Sequence, residues 1–487
     1  MKFFYQQLLN RIKSSANPCY VYYDQVYYYS EMYQNMLKIN NLLKDFKQKK
    51  IILFSEKSFE TYCSLFAIIL SENIWIQANP LYPEEHIVRM LHVSEPEMML
   101  TDQAVPPTVK DFCSENQIKI VMLDEVLSGD NFSDISLGNF RDDDIAYIMF
   151  TSGSTGTPKG VPMTHQNYIQ FIYNALEILP FDKGEVFSDF HYLGFDISIF
   201  YLFCAVLTES ALAPVLEEGE KFFPLDNIIQ NKVTVWSSVP STIARIMKLR
   251  PTNKVKTNIK IMFLCGEPFR LEVLRYCYEN LNLTHVYNFY GLTETGVENF
   301  FHECERTDLE RFRNHGFVPI GKPLPGNEIK VLENKELLIA GCQVTPGYLG
   351  EIDSDKFSLI DGERWFHSGD IVELSDDVYF CKGRVDTQVK LSGYRVELMD
   401  IEVHIRKFRG ALDAICFVDD RNREHKVLRA VIEADEKFPV NLLKQTLKKS
   451  LPNYMIPSTF SIIAEFPRNK NGKIDRKQIK MNTLKKI

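Results

Sequence analysis

The sequence predicts an α/β fold: a large N-terminal domain of layered sheets and helices, residues 1–385, and a small α+β C-terminal domain, residues 386–487. Three observations predict it. Through the first two-thirds, short apolar runs alternate with helix-spaced ones, as expected for helices packed on largely parallel sheets. After residue 386 the pattern changes to strand, charged turn, strand, helix and strand. The composition, 45% hydrophobic and 25% charged over 487 residues, is that of a globular chain long enough for a large core and more than one domain.

The elements follow in order. The opening MKFFYQQLLNRIKSS spaces apolar residues helically among Gln, Asn and Lys, with no continuous apolar run, and predicts a surface helix rather than a signal peptide. Runs 51–54, Met98–Thr101, 118–123 and 146–150 read as buried strands, with helices at 60–70 and 84–92. A polar turn at 383–386 marks the boundary. Beyond it, strands at 414–418 and Val427–Glu433 flank a charged turn at 419–425, followed by a helix at 441–451 and a strand at Thr459–Ile463. The most apolar stretch, 65–70, is far too short to span a bilayer. The ten cysteines form no CxxC pair, which fits buried thiols in a reducing cytosol. A net charge of −8 argues against nucleic acid and anionic membranes as partners. The expectation is a soluble cytoplasmic protein.

The segment 147–165, YIMFTSGSTGTPKGVPMTH, runs a buried strand into a loop rich in glycine and hydroxyl groups. Gly153, Gly156 and Gly160 let the backbone bring N–H groups close to an anion. Thr151, Ser152, Ser154, Thr155 and Thr157 add donors, and Lys159 adds a point charge. Such a loop suits a polyphosphate. No GxGxxG occurs, and GFVPIGK at 316–322 is followed by Pro323 where a Walker loop needs Ser or Thr.

TSGSTGTPKG resembles the phosphate loop of the acyl-adenylate-forming superfamily, which includes acyl-CoA synthetases, luciferases and nonribosomal peptide synthetase adenylation domains. Further motifs follow in that family's order, so the resemblance covers nearly the whole chain. YGLTET (Tyr290 onward) resembles the family's YGxTE signature, implying Tyr290 at adenine, Thr293 at phosphate and Glu294 on Mg²⁺. Asp370 in HSGD resembles the aspartate that holds the ribose hydroxyls. GRVDTQVKLSGYRVE (383–397) resembles the hinge and first strands of a mobile C-terminal domain. There the resemblance implies Arg384 at ribose or phosphate, Asp386 as hinge pivot, Arg395 at the phosphate end and Gly393 beside a pantetheine path. NKNGKIDR (469–476) resembles the motif carrying the catalytic lysine, here Lys473. A mobile ammonium bridging two anions lowers the barrier to carboxylate attack on the α-phosphate. The implied cofactors are ATP and Mg²⁺.

FDIS (195–198) resembles the FDxS element of amino-acid adenylation domains, where the aspartate, here Asp196, pairs with the substrate's α-ammonium. Ile197, Phe200, Ser238, Phe263, Cys265, Phe289, Val297 and Glu298 are implied as further pocket residues. MFLCGE with TVWSSVPS most resembles the D-alanine–carrier protein ligases, and three phenylalanines imply a small side chain. Glu298 departs from that pattern: it either pairs with a second substrate amine, as in a diamino acid, or points away to bond backbone. With no carrier or condensation segment recognised, a free-standing ligase is expected, loading a phosphopantetheinylated carrier protein. An acyl- or aryl-CoA ligase and a catalytically inactive binding protein are the alternatives; Asp196 argues against the first and the intact motifs against the second.

Overall fold

The computed structural model describes residues 1–152, 157–250, 254–350, 354–385, 388–391, 393–421, 426–468 and 474–485. Strands 119–122, 98–101, 50–54, 74–78, 145–151 and 159–164 form one sheet in that spatial order, parallel except for the last. All four N-terminal strands expected from sequence lie in it. Successive side chains face opposite ways: Ile51 and Leu53 enter one core, Ile52 and Phe54 another. Both faces are covered, which is why these strands read as continuous apolar runs rather than alternating ones.

A second sheet has nine strands, with a parallel centre built from 285–290, 261–264, 235–238, 186–189 and 211–214. Between the two sheets lie helices Phe59–Leu70 and Ser198–Leu207, whose residues are almost all buried. A helix apolar on every side must be enclosed on every side. Ser58 caps the first, its Oγ accepting the Thr61 N–H at 3.1 Å. Outer helices cover the far faces, giving helix, sheet, helix, sheet and helix layers. An antiparallel sheet of strands 327–331, 336–341, 357–360, 363–375 and 378–384 follows.

Residues from 388 onward enclose cores of their own. Strands Asp413–Asp419 and Val427–Glu433 pair antiparallel, and Thr459–Ile463 joins in parallel. Helices Leu398–Arg406 and Val440–Ser450 pack Ile401, Ile405, Leu443 and Leu447 against them. Residues 422–425 of the expected charged turn, and the expected pivot Asp386, lie outside the described residues. All ten cysteines are free and most are buried, without disulfides. No described helix is long and apolar enough to cross a membrane.

The opening helix is the expected surface helix, with one face exposed and the other packed on the core. Lys2–Ser14 is helical, and Phe4, Tyr5, Leu8, Leu9 and Ile12 are buried in the inter-sheet core. The polar residues that suggested a surface element occupy its other face. Leu8→Ala should therefore cost about 2–5 kcal/mol of stability in urea unfolding. Gln6→Ala, on the exposed face, should stay within about 0.5 kcal/mol.

Candidate active site

The expected site residues gather where the parallel strands of both sheets end. Thr151, Ser238, Cys265 and Tyr290 stand at or just past the C-terminal ends of their strands. Open α/β sheets bind ligands outside those ends.

The glycine-rich segment is the tip of a hairpin in which Thr151 pairs with Lys159. Gly153, Ser154, Thr155 and Gly156 lie outside the described residues; Thr157 is half-buried. Lys159 is buried with its ammonium 5.0 Å from the centre of the Tyr348 ring, a distance at which cation–π attraction operates. The Ser152 hydroxyl donates to the Arg395 carbonyl at 3.3 Å and accepts the Glu397 N–H at 3.1 Å. The first hydroxyls of the loop thus meet the hairpin 388–397.

Asp370 and Arg384 sit opposite each other in the antiparallel sheet. Arg384 donates to Asp370 Oδ1 at 2.8 Å, and the Tyr290 hydroxyl donates to Oδ2 at 2.5 Å. Burial first, and then the Asp370 charge, push the Tyr290 phenol well above its usual range. Lys390 lies 5.4 Å from the Tyr290 ring centre. The result is a flat aromatic beside a buried carboxylate, a pairing able to hold a base and a diol.

Glu294 and Arg395 form an ion pair at 2.5 Å, with the Glu294 side chain 2% exposed. Tyr348 donates its hydroxyl to the other Glu294 oxygen at 2.8 Å. Burial pushes this carboxyl up, but the Arg395 guanidinium and the Tyr348 hydroxyl outweigh it and hold the group below its ordinary value. Thr293, one residue earlier, acts on Asp196 and favours its charged form. The backbone N–H of Ile197 donates to Asp196 Oδ1 at 2.8 Å. Burial raises the Asp196 carboxyl, against the pull of both.

Phe200, Phe263 and Phe289 stack in series, with centroids 4.2 and 4.1 Å apart. Ile197 and Val297 are buried beside them in the same core. Cys265 and Glu298 act on each other, and Asp196 acts electrostatically on both. Ser238 is fully buried, with no partner for its hydroxyl among the described residues. Gly393 donates its N–H to Glu267 at 2.9 Å, beside a cleft of ≈ 260 Å³ lined by Phe195, Ser241, Thr242, Arg245 and Tyr394. A Cβ on Gly393 would stand 2.8 Å from Val239 Cγ1, and its φ of +84° favours glycine independently.

The structure therefore brings the expected residues together, apart from the loop glycines and hydroxyls named above, Asp386 and Lys473, which lie outside the described residues. Sequence reasoning missed Tyr348, which links Glu294 to Lys159, and Glu267, which bridges Gly393 and the Ser241 N–H. It also missed Gln343, whose amide bonds the carbonyls of Gly296 and Glu298 at 2.9 Å each. The one available signal was a polar Gln inside LIAGCQVTPGYLG, a run rich in apolar residues and turn-formers.

Comparison with known proteins gives consistent findings. The AMP-binding enzyme family matches residues 12–349. The chain is 28% identical over 481 residues to a D-alanine--D-alanyl carrier protein ligase of Lactococcus lactis subsp. lactis (strain IL1403), covering 94% of each. It is 28% identical over 469 residues to gramicidin S synthase 2 of Aneurinibacillus migulanus, covering 91% of this chain and 10% of that one. Among solved structures it resembles the Vibrio cholerae adenylation domain AlmE in complex with glycyl-adenosine-5'-phosphate, with a TM-score of 0.85 and 22% identity over 99% of this chain and 98% of the other.

The ion pair carries a pH signature. In the parent, the lowered Glu294 carboxyl contributes stability above its ordinary value, lost as pH falls through the folded value. In Arg395→Ala only burial and weaker donors remain, so the buried charge costs stability at neutral pH, and protonation relieves that cost on acidification. The variant should lose about 3–5 kcal/mol near pH 8 and distinctly less near pH 5, read by urea unfolding at both.

Proposed function

The chain belongs to the AMP-binding enzyme family and is an ATP-dependent, AMP-forming ligase; from that premise we propose that it activates a small amino acid and loads it onto the phosphopantetheine thiol of a carrier protein. The observation that carries this reading is Asp196. The Ile197 N–H holds one oxygen of its carboxyl, yet no ion pair to it exists among the described residues. A desolvated carboxylate so placed favours a ligand that brings its own ammonium, and disfavours acids that lack one.

In the first half-reaction, a substrate carboxylate oxygen bonds to the α-phosphorus of ATP. The bond from that phosphorus to the bridging oxygen breaks, and pyrophosphate leaves. Tyr290 and Asp370 hold adenine and ribose, with Arg384 securing Asp370. Lys159, Thr151, Ser152 and Thr157, with the intervening loop residues, hold the phosphates. Lys473 meets the charge that builds between carboxylate and α-phosphate. Glu294 would hold Mg²⁺; one carboxylate with phosphate oxygens is a usual Mg²⁺ donor set, and the ion would neutralise charge on the polyphosphate. The Arg395 guanidinium at Glu294 opposes a second cation there, so that role belongs to an arrangement in which Arg395 withdraws. The ion-paired arrangement thus suits the second half-reaction, after pyrophosphate has gone. The thiol then attacks the acyl carbon, and AMP leaves. The cleft beside Gly393 supplies the thiol's route, and rotation about Asp386 exchanges the two arrangements. The carrier assignment draws support from the Lactococcus relative's name.

The test is amino-acid-dependent pyrophosphate release with ATP and Mg²⁺, over D- and L-amino acids, aryl acids and fatty acids. Turnover should occur with an amino acid and fall about 10²–10³-fold in Lys473→Ala. It should fall at least as steeply in Asp196→Ala. Turnover only with acids lacking an amino group would overturn the role of Asp196 and place the chain with the acyl- or aryl-CoA ligases.

A further inference from the structure

Glu298 remains without a role in the chemistry above. It is 4% exposed. The Cys265 thiol holds its carboxyl down against the effect of burial, and its Oε2 has no hydrogen-bond partner among the described residues. Its side chain does not turn back to bond backbone, the second reading the sequence left open. Leaving a carboxylate oxygen unpaired in the interior is costly, so the arrangement favours a donor from outside the chain.

The side chain is aimed by a built turn rather than by chance packing. Val297, a β-branched residue, adopts φ +75°, and Gly296 before it also adopts φ +75°. Left-handed backbone is a true outlier for valine, and it persists only where surrounding structure over-determines it. Here Gln343, fully buried, binds the carbonyls on both sides of Val297. The backbone of Gly291 runs so close that a Cβ there would lie 2.1 Å from the Val297 oxygen and 2.4 Å from the Glu298 Cα. The turn is pressed between these two supports, with Glu298 at its end.

We propose that Glu298 is a specificity-determining residue of the acid pocket and that the substrate is a short diamino acid, its α-ammonium on Asp196 and its second ammonium on Glu298. The proposal rests on the reading of this pocket as an amino-acid site. Three further features support it. Burial, and then the Asp196 charge, push the Glu298 carboxyl up to about 8, so that it is mostly protonated near neutral pH when the site is empty; a ligand that brings a second ammonium favours its charged form. Among the described residues, Arg395 is committed to Glu294, and Lys390 makes no ion pair with Glu298 while lying over the Tyr290 ring. A bound metal ion is a poor alternative. Among the described residues, the trio of ligand atoms that converges within 4.8 Å is His302, Cys304 and Asp308, not Asp196, Cys265 and Glu298. Phe200, Phe263 and Phe289 stack in the same core as Ile197 and Val297, the neighbours of the two acids, and such bulk favours a short arm for the second amine.

The experiment compares 2,3-diaminopropionate with its isostere 2-aminobutyrate, then 2,4-diaminobutyrate, ornithine, alanine and glycine, in both chiral forms where they exist. The readout is kcat/KM for pyrophosphate release, in the parent protein and in Glu298→Gln. The parent should favour a short diamino acid over its isostere by about 10² or more, because a site built to pair a substrate N–H group discriminates strongly against an analogue lacking it. Glu298→Gln should cut that ratio at least about tenfold, a split between substrates that general damage to the fold would not produce. A parent that turns over alanine, glycine or 2-aminobutyrate better than every diamino acid overturns this inference and leaves the amino-acid reading standing. A parent that turns over no amino acid overturns both. A diamino preference that survives Glu298→Gln overturns the assignment to Glu298. The parent ratio decides on the substrate class even if the variant fails to fold.

Discussion

The Glu294–Arg395 ion pair is the interaction on which the site's arrangement depends. A carboxylate buried that deeply costs several kcal/mol unless a counter-charge meets it, and here the counter-charge comes from 101 residues further along the chain. The pair closes a ring of contacts. From Arg395 the backbone meets Ser152; from Glu294 the second oxygen meets Tyr348, whose ring faces Lys159. Lys159 stands opposite Thr151 in the hairpin, next to Ser152. The ring therefore starts and ends on the glycine-rich loop, and it holds together only while residues 394–397 are inserted. One arginine sets where the C-terminal part docks and whether Glu294 can accept anything else.

The same pair leaves the remaining charges unbalanced. Asp196 feels both Glu294 and Arg395, and Glu298 feels Asp196 and Lys390, while the one ion pair Arg395 makes among the described residues is with Glu294. Low local dielectric makes each remaining interaction stronger than it would be in water, in both directions. The pocket is consequently poised for positive charge before any ligand arrives. The phosphate loop, with Lys159 and its hydroxyls, is poised for negative charge a few residues away.

Much of this was legible in the sequence. Strands of the first sheet were readable because burial on both faces makes them continuous apolar runs bounded by polar turns, and the C-terminal order of strands and helix was equally plain. Residues of the site were legible where a local motif carried them: the glycine-rich loop, YGLTET, HSGD and FDIS each place their chemistry within a few positions. The opening helix was half legible. Its spacing gave the helix, but whether Phe4, Leu8 and Ile12 meet a core depends on sheets formed by residues far downstream. Tyr348 and Glu267 were illegible for the same reason, since their partners lie 54 and 126 residues away.

The turn at Val297 shows what sequence reasoning of this kind cannot reach. Intrinsic preference places valine in extended backbone and gives no hint of a left-handed conformation. That conformation exists because Gln343 supplies donors to the flanking carbonyls and because Gly291 leaves room for the turn to press against it. None of the three is informative alone: a buried glutamine, a glycine in a signature motif and a valine beside an acid each admit ordinary explanations. Together they fix the direction of the Glu298 side chain. Had Val297 relaxed to an extended conformation, the chain would leave the turn in another direction, and the carboxylate would no longer be held beside Cys265 and within the field of Asp196. Backbone strain, held by a glutamine 45 residues from the acid whose carbonyl it binds, is thus what keeps a carboxyl with an unpaired oxygen in the interior.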